Sequence, residues 1–318
     1  MSSDSLIHAV AGAGGGMLAM SITYPLVTLS TRAAVETRAD DRSIKQVVLD
    51  LIKREGIAGL YSGVNSSLLG IAVTNGVYYF FYERTRAGIL NTRAPGGTKA
   101  LSTLESILTG LIAGSATTII SNPIWVVQTT QAVRSMQSST TGDSTDVAPP
   151  KHLSVLETVQ HILRKDGVGA FWRGLGPALA LVVNPIIQYT VFEQLKNFVI
   201  RRRAARLHAS GATAAATLKD IDFFILGALS KLGATSSTYP YIVIKSRMQA
   251  GQASALKYKS SIDGLLSVLR EEGVAGLYKG ISSKVLQSVL TAAILFASQR
   301  RLYELTKTAL APAVAIKA

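Results

Sequence analysis

Lys231 and Lys284 stand inside stretches that are otherwise apolar enough to cross a bilayer. A charge in such a place is costly and reads as functional by default. An ammonium group is a compact partner for phosphate. The chemistry these residues predict is therefore the binding of an anionic, phosphorylated solute. The competing reading is structural: either lysine can bond helix carbonyls or extend its head toward the membrane surface. The other members of the 33 lysines and arginines fall in loops and helix ends. Reaction chemistry has little to work with. The chain has no cysteine, hence no thiol nucleophile, disulfide framework or Cys-based metal site. Its four histidines show no ligand spacing, and His161 falls on the polar side of a helix. No P-loop and no nucleophile constellation is present. The expectation is a protein that is not an enzyme, with no metal and no cofactor.

The composition sets the class. Of 318 residues, 48% are hydrophobic and only 16% are charged, and the mean hydropathy is +0.30. The opening MSSDSLIHAV lacks the basic region of a secretory signal, so the first apolar segment is expected to remain as a span. A net charge of +14 is compatible with nucleic acid. The apolar content points instead to anionic headgroups or an anionic solute, and excludes nucleic acid as a partner.

The elements that position the lysines come in threes. Pro25, Pro123 and Pro240 each stand near the end of a long apolar stretch, in YPLVTLSTR, NPIWVVQTT and YPYIVIKSR. Some way further on comes a second signature, REGIAGLYSG, KDGVGAFWRG and EEGVAGLYKG. Each reads acid, Gly, four small or apolar residues, an aromatic, one residue, Gly. Repeats of this kind are sought before anything else. Ahead of each second signature lies a short amphipathic helix. In the first, Ile44, Val47, Val48, Leu51 and Ile52 form one stripe. Such helices are too polar to span and are expected at the interface. The glycine after the acid suits a helix end that needs positive φ. Apolar stretches at 6–30, 64–86, 104–130, 175–200, 221–247 and 282–304 give six spans, each long enough for a hydrocarbon core of about 30 Å. The unit is span, interfacial helix, span. Three parallel units relate by an axis along the membrane normal, which predicts an all-α membrane protein of six transmembrane helices with pseudo-threefold symmetry and a central cavity. Repeat 1 covers 1–100, repeat 2 covers 101–205 and repeat 3 covers 219–310, with polar linkers at 135–151 and 207–218.

Apolar residues continue past each proline, so the prolines are expected to kink the helices and not to end them. Gly12 with Gly16, and Gly110 with Gly114, form GxxxG spacings that favour close helix approach. In the third repeat Gly227 is followed by Lys231 where the second glycine would stand.

On these threefold motifs, and on YERTR at 82–86 and FEQLK at 192–196, the chain resembles the mitochondrial carrier family over nearly its whole length. TTIISNPIWVVQT, VVNPIIQYTVFEQLK and GLYKGISSKVLQSVLTAAILF are similar to the peroxisomal branch, related to adenine nucleotide and CoA transporters. The resemblance implies six tilted helices, cytosolic termini, alternating access between two gates, a peroxisomal membrane and a nucleotide-bearing solute. The family reads P-x-acid-x-x-base after each proline. Here the acid positions hold Val27, Trp125 and Ile242, and the base positions hold Ser30, Gln128 and Lys245. An inner gate built from Pro25, Pro123, Pro240, Trp125, Gln128 and Lys245 cannot close by a ring of ion pairs. It is expected to be held more weakly, or by apolar and polar contacts. The cytosolic gate keeps Glu83 with Arg86 and Glu193 with Lys196, and has Arg300 and Tyr303 in the third repeat.

The family's contact region falls here on Gly70 and Thr74, on Ala180, Leu181 and Asn184, and on Gln287 and Ser288. Asn75, Tyr78 and Gln188 are close by on the same spans. With Lys231 and Lys284 these make the candidate solute site. A small, apolar pair at 180–181 suits an adenine face. Tyr78 as ordinary packing, and Asn184–Pro185 as a helix kink, are the structural alternatives. The basic run 196–206 suits anionic lipid or a targeting role. The sequence reading is a monomeric peroxisomal carrier exchanging adenine nucleotides, ATP for AMP or ADP, with nucleotide as cargo. Its rivals are a carrier of CoA, FAD or NAD, a mitochondrial inner-membrane anion carrier, and a membrane scaffold without transport. The midspan Lys231 argues against the scaffold.

Overall fold

The computed structural model describes residues 3–36, 44–93, 100–138, 153–209, 218–252, 255–291 and 294. In the first repeat, α1 (Ser3–Val35) is followed by α2 (Ile44–Leu60) and α3 (Val64–Asn91). In the second, α4 (Thr103–Ser138) leads to α5 (Val155–Asp166), a short α6 (Leu175–Ala180) and α7 (Asn184–Ala209). The third begins with α8 (Asp220–Gln249) and α9 (Ser261–Leu277), and residues 281–291 are again helical. The described residues contain no strand. Three stretches among them, Glu55–Asn91, Thr103–Val133 and Val168–Arg206, are long and apolar enough to cross a membrane by length and composition alone.

Pro25, Pro123 and Pro240 lie inside α1, α4 and α8, which continue past them. The amphipathic stripes pack as their spacing predicts. Leu51 is buried with Leu29 of α1, and Val47, Val48 and Ile52 pack beside them. In the second repeat Ile162 of α5 joins Val126 and Val127 of α4. Ser154 caps α5 in a capping box with Glu157, which satisfies two amide groups at that helix start. Gly56, Gly167 and Gly273, the glycines after each acid, have φ of 70°, 76° and 70°. They break the chain out of the interfacial helix at the same place in each repeat.

The fold also shows why the two signatures travel together. The residue before each proline bonds to the residue between the aromatic and the final glycine. Tyr24 Oη donates to the Ser62 carbonyl at 3.1 Å, Asn122 Nδ2 to that of Arg173 at 3.1 Å, and Tyr239 Oη to that of Lys279 at 2.9 Å. Tyr24 stacks on Tyr61 and Tyr239 on Tyr278, with ring centroids 6.2 and 6.1 Å apart.

The final glycines join one repeat to the next. They have φ of 88° at Gly63, 71° at Gly174 and 81° at Gly280. A methyl group on Gly63 would lie 3.1 Å from the Gln128 carbonyl oxygen, and one on Gly174 would lie 3.0 Å from that of Lys245. On Gly280 it would lie 2.8 Å from that of Ser30. Repeat 1 thus rests on repeat 2, 2 on 3, and 3 on 1. Gly280→Ala combines left-handed strain of about 1–2 kcal/mol with a collision against backbone. It is expected to lower the melting temperature in detergent. Gly88→Ala, on α3 with open space around it, is expected to leave it unchanged or slightly raised.

Close glycine packing is more restricted than the GxxxG spacings predict. A methyl on Gly114 would strike Val182 at 2.6 Å, and Gly110 faces the Tyr78 hydroxyl. One on Gly16 or Gly227 would meet nothing within 4 Å, so neither is a close-approach point. In α4 these glycines meet two neighbours, α3 through Gly110 and the α6–α7 junction through Gly114. Gly12 lies where no side-chain surroundings are described.

Candidate functional site

A cavity of about 720 Å³ follows one face of α4 from Thr103 down to Trp125. At the helical rise this is a path of about 33 Å, comparable to a hydrocarbon core. Ser106, Gly110, Gly114, Thr117 and Ser121 recur along it at three- and four-residue steps, which places them on one helix face. Opposite stand Thr74 and Tyr78 of α3, and Leu181, Pro185 and Tyr189 around the start of α7. A single 3-10 turn at Leu181–Val183 interrupts the helix here, directly before Asn184 and Pro185. Proline cannot supply the amide that would continue the ladder, so α6 and α7 are separate helices. Lys245 of α8 lines the cavity at the level of Trp125.

Two further ammonium groups lie in the neighbourhood of Lys245. Lys231 and Lys245 both lie within electrostatic reach of Lys284. Lys231 is solvent-exposed on α8, and the other two are half-buried. Among the described residues none of the three has a carboxylate partner. Lys245 alone of the three lines the cavity, whose walls are hydroxyls, glycines, aliphatic side chains and aromatic rings; Lys231 and Lys284, expected in the solute site, are outside its lining and add positive charge near it.

Below this level the bundle is closed. Val35 of α1, Ala132 and Val133 of α4, and Ala250 of α8 form one buried apolar cluster shared by all three repeats. Above it runs a band of neutral hydrogen bonds. Gln128 Nε2 donates to Tyr24 Oη at 3.3 Å, Thr129 Oγ1 to Gln249 Oε1 at 3.3 Å, and Gln249 Nε2 to Asn122 Oδ1 at 3.1 Å. Among the described residues, no ion pair joins positions 27, 30, 125, 128, 242 and 245. The charged clasps lie nearer the interfacial helices. Arg32 forks onto Glu55 at 2.8 and 2.9 Å and its Nε donates to the Ala132 carbonyl at 2.6 Å. Arg247 forks onto Glu272, which Lys279 also approaches at 2.8 Å, and its Nε donates to the Ala34 carbonyl at 3.0 Å. Burial alone would raise the Glu272 carboxyl. The Arg247 and Lys279 cations outweigh it and hold the group below the usual carboxylate range. In the second repeat Thr130 stands where Arg32 and Arg247 stand in the others. There Arg173, from the loop, pairs with Asp166 at 2.9 Å and holds that carboxyl low.

The gate residues of the terminal side form pairs along their own helices. Glu83 and Arg86 lie 3.4 Å apart one turn along α3, and Glu193 and Lys196 lie 2.6 Å apart one turn along α7. The cavity lining extends at this end to Leu101 and to Thr103 and Ser106 of α4. Arg300 and Tyr303 lie outside the described residues.

The other expected contacts divide. Thr74, Tyr78 and Leu181 line the cavity. Asn184 does not: its Nδ2 donates to Thr238 Oγ1 at 2.6 Å and to the Ala234 carbonyl at 3.3 Å, tying α7 to α8. Asn75, Ala180 and Gln188 are not among the lining residues. Gln287 is buried, donates to Thr291 at 3.3 Å and leaves its Oε1 without a partner among the described residues. Ser288 is half-buried beside it. The signals that sequence reading passed over were the recurrent Tyr, Asn and Tyr before the prolines, and the small polar face of α4, which reads first as packing.

Gln128→Leu should loosen the closed end. The bond to Tyr24, of about 1 kcal/mol, is lost together with a long one accepted from Thr129 Oγ1 at 3.4 Å, while Tyr24 keeps Ser62 and Ser67 and Thr129 keeps Gln249. The expected outcome is about fivefold faster uptake into liposomes without internal solute, measured against the wild-type chain.

Comparison with known proteins agrees with this geometry. The family model "Mitochondrial carrier protein" matches residues 2–93, 99–203 and 217–312. The chain is similar to the "Peroxisomal nicotinamide adenine dinucleotide carrier" of Arabidopsis thaliana, 35% identical over 98% of this chain and 99% of the relative. It is similar to the "Peroxisomal membrane protein PMP34" of Mus musculus, 30% identical over 97% and 95%. It also matches the "Peroxisomal adenine nucleotide carrier 1" of Glycine max, 31% identical over 92% and 88%. Three matched segments over three spatial repeats, with one closed end and a cavity between the helices, make this chain a member of the mitochondrial carrier family.

Proposed function

We propose that this chain exchanges adenine-bearing nucleotides across the peroxisomal membrane by alternating access, acting as a monomer, with ATP against AMP or ADP as the solute pair. The observation that carries the reading is a cavity lined by Trp125, Tyr78, Tyr189 and hydroxyl groups that holds Lys245, with Lys284 in electrostatic reach of Lys245 and Lys231 and no carboxylate partner on any of the three among the described residues. A polyphosphate relieves the repulsion among the three cations, and a purine fits the aromatic walls. The cavity volume lies within the range of small-molecule sites. Peroxisomal names among the relatives support a multi-pass protein of that membrane. Imaging against organelle markers separates this from the mitochondrial inner membrane.

A second reading, NAD as a cargo, is favoured by the 35% identity to a protein named for that solute. CoA and FAD share the adenine half and belong to the same test. Purified protein in liposomes, preloaded in turn with AMP, NAD, CoA or nothing, is supplied with labelled ATP. Uptake driven by internal AMP and lost in Lys231→Ala supports adenine nucleotide exchange. Uptake driven only by NAD or CoA moves the protein to dinucleotide or cofactor transport. No uptake under any load, from folded protein, overturns both.

A further inference from the structure

We propose that Trp125 is a stacking platform for the heteroaromatic ring of the cargo, so that a gate position has become part of the binding site. The inference rests on the nucleotide reading above and adds a specific residue and ligand group to it.

Trp125 stands two residues after Pro123, where the closed end of the bundle begins. Its indole is half-buried and lines the cavity. A tryptophan whose only task was to plug the gate would sink into the apolar cluster below, yet that cluster is made of Val35, Ala132, Val133 and Ala250. The ring is held from one side. Its Nε1–H donates to Thr74 Oγ1 at 3.3 Å. Its six-membered ring lies over Gly70, where a methyl group would come within 3.3 Å of Cζ2. Gly70 thus provides a seat that a larger residue would fill, and Thr74 fixes the rotation of the indole in that seat. Thr74 accepts in this bond, which leaves its hydroxyl hydrogen for a second acceptor. At the same level Lys245 lines the cavity, with no carboxylate partner among the described residues. An oriented aromatic plane, a hydroxyl and an ammonium sharing one cavity end select for a planar heterocycle bearing phosphate. Aromatic rings bind any base through its π-face, so this platform accepts adenine or nicotinamide and rejects phosphates without a ring.

The chain contains two tryptophans, which makes a direct optical test available. Trp172 is outside the cavity lining, and its Nε1 donates to the Ile119 carbonyl at 3.0 Å. In Trp172→Phe protein the emission comes from Trp125 alone. AMP, ATP and NAD are titrated under red-edge excitation, with ribose 5-phosphate and tripolyphosphate as ringless probes, and exchange of the same protein is measured in parallel. The expected result is saturable quenching by the nucleotides and none by the ringless phosphates, at concentrations matching the transport KM. In the otherwise wild-type chain, Trp125→Leu should raise KM for nucleotide about tenfold or more, while Trp125→Phe retains most of the affinity. The proposal is overturned if Trp172→Phe protein exchanges nucleotide with no change in Trp125 emission and Trp125→Leu leaves KM unaltered. That result leaves nucleotide exchange standing. Absence of uptake by the wild-type chain instead overturns the nucleotide reading, and this inference with it.

Discussion

Lys284→Gln is expected to weaken nucleotide binding by about 10–100-fold while raising the melting temperature of the empty protein. The opposite signs follow from one fact. Lys284 shares its surroundings with Lys231 and Lys245, so in the absence of an anion the three repel one another. Removing one cation relieves that repulsion. On the proposed function the same change also deletes a charge-assisted hydrogen bond to phosphate, worth about 1.5–3 kcal/mol, which converts to the stated factor. A site that is strained when empty and relaxed when filled trades stability for function. Thermal unfolding in detergent with and without ATP, alongside uptake kinetics, reads both effects. A lower melting temperature of the empty variant with unchanged KM would assign Lys284 to the architecture and take it out of the site.

Arg247→Ala is the second large effect, and it falls on stability. The Arg247 side chain is 1% exposed and forks onto Glu272, while Nε holds the Ala34 carbonyl of the first repeat. Removing one partner of a buried pair costs about 3–5 kcal/mol, because the other charge stays behind. Lys279 retains part of the compensation for Glu272, which points to the lower end of that range. Arg247→Lys should rescue only part of the loss, since a lysine cannot fork and also reach the carbonyl. Arg203→Ala serves as contrast: its pair with Asp222 leaves the arginine 38% exposed, and solvent-screened pairs of this kind contribute little to stability. A pH titration checks the same clasp. The folded protein holds the Glu272 carboxyl below its usual range, so this contribution is present above the unfolded pKa and is lost as pH falls through the folded one. Glu272→Gln should be less stable at neutral pH and show a shallower loss in acid.

The architecture was legible because it is written three times. The prolines, the acid–glycine pairs and the aromatic–x–glycine ends each occur in the same order, and the helices and positive-φ glycines follow them residue by residue. Lys231 and Lys284 stood out because water-seeking charge is conspicuous in an apolar run, and the fold brings both near one another while leaving them outside the cavity lining. Other features depend on partners that no local pattern names. Glu83 and Arg86 are compatible with a pair between helices or along one, and only the separation of the helices decides it. Asn184 stands at the expected contact level but turns to Thr238, because the break before Pro185 presents it to α8. Lys245 was assigned to the gate by its distance from Pro240, yet the acids it would meet are absent and it faces the cavity. Trp125 was likewise assigned by position, and its seat over Gly70 appears only when α3 and α4 are side by side.

The ring of repeats at the closed end is not fastened evenly. Arg32 reaches from the first repeat to Ala132 in the second, and Arg247 from the third to Ala34 in the first. Between the second and third, where Thr130 replaces the arginine, the junction is made by Thr129, Gln249 and Asn122. Mechanically, two sides of the triangle are bolted by arginines that bond the neighbouring repeat's backbone, and the third is buttoned by amides, with Arg173 lying against Gly251. A threefold iris would part all its blades together. The edge between the second and third repeats is therefore expected to part first, as a door does, with the first repeat as its frame.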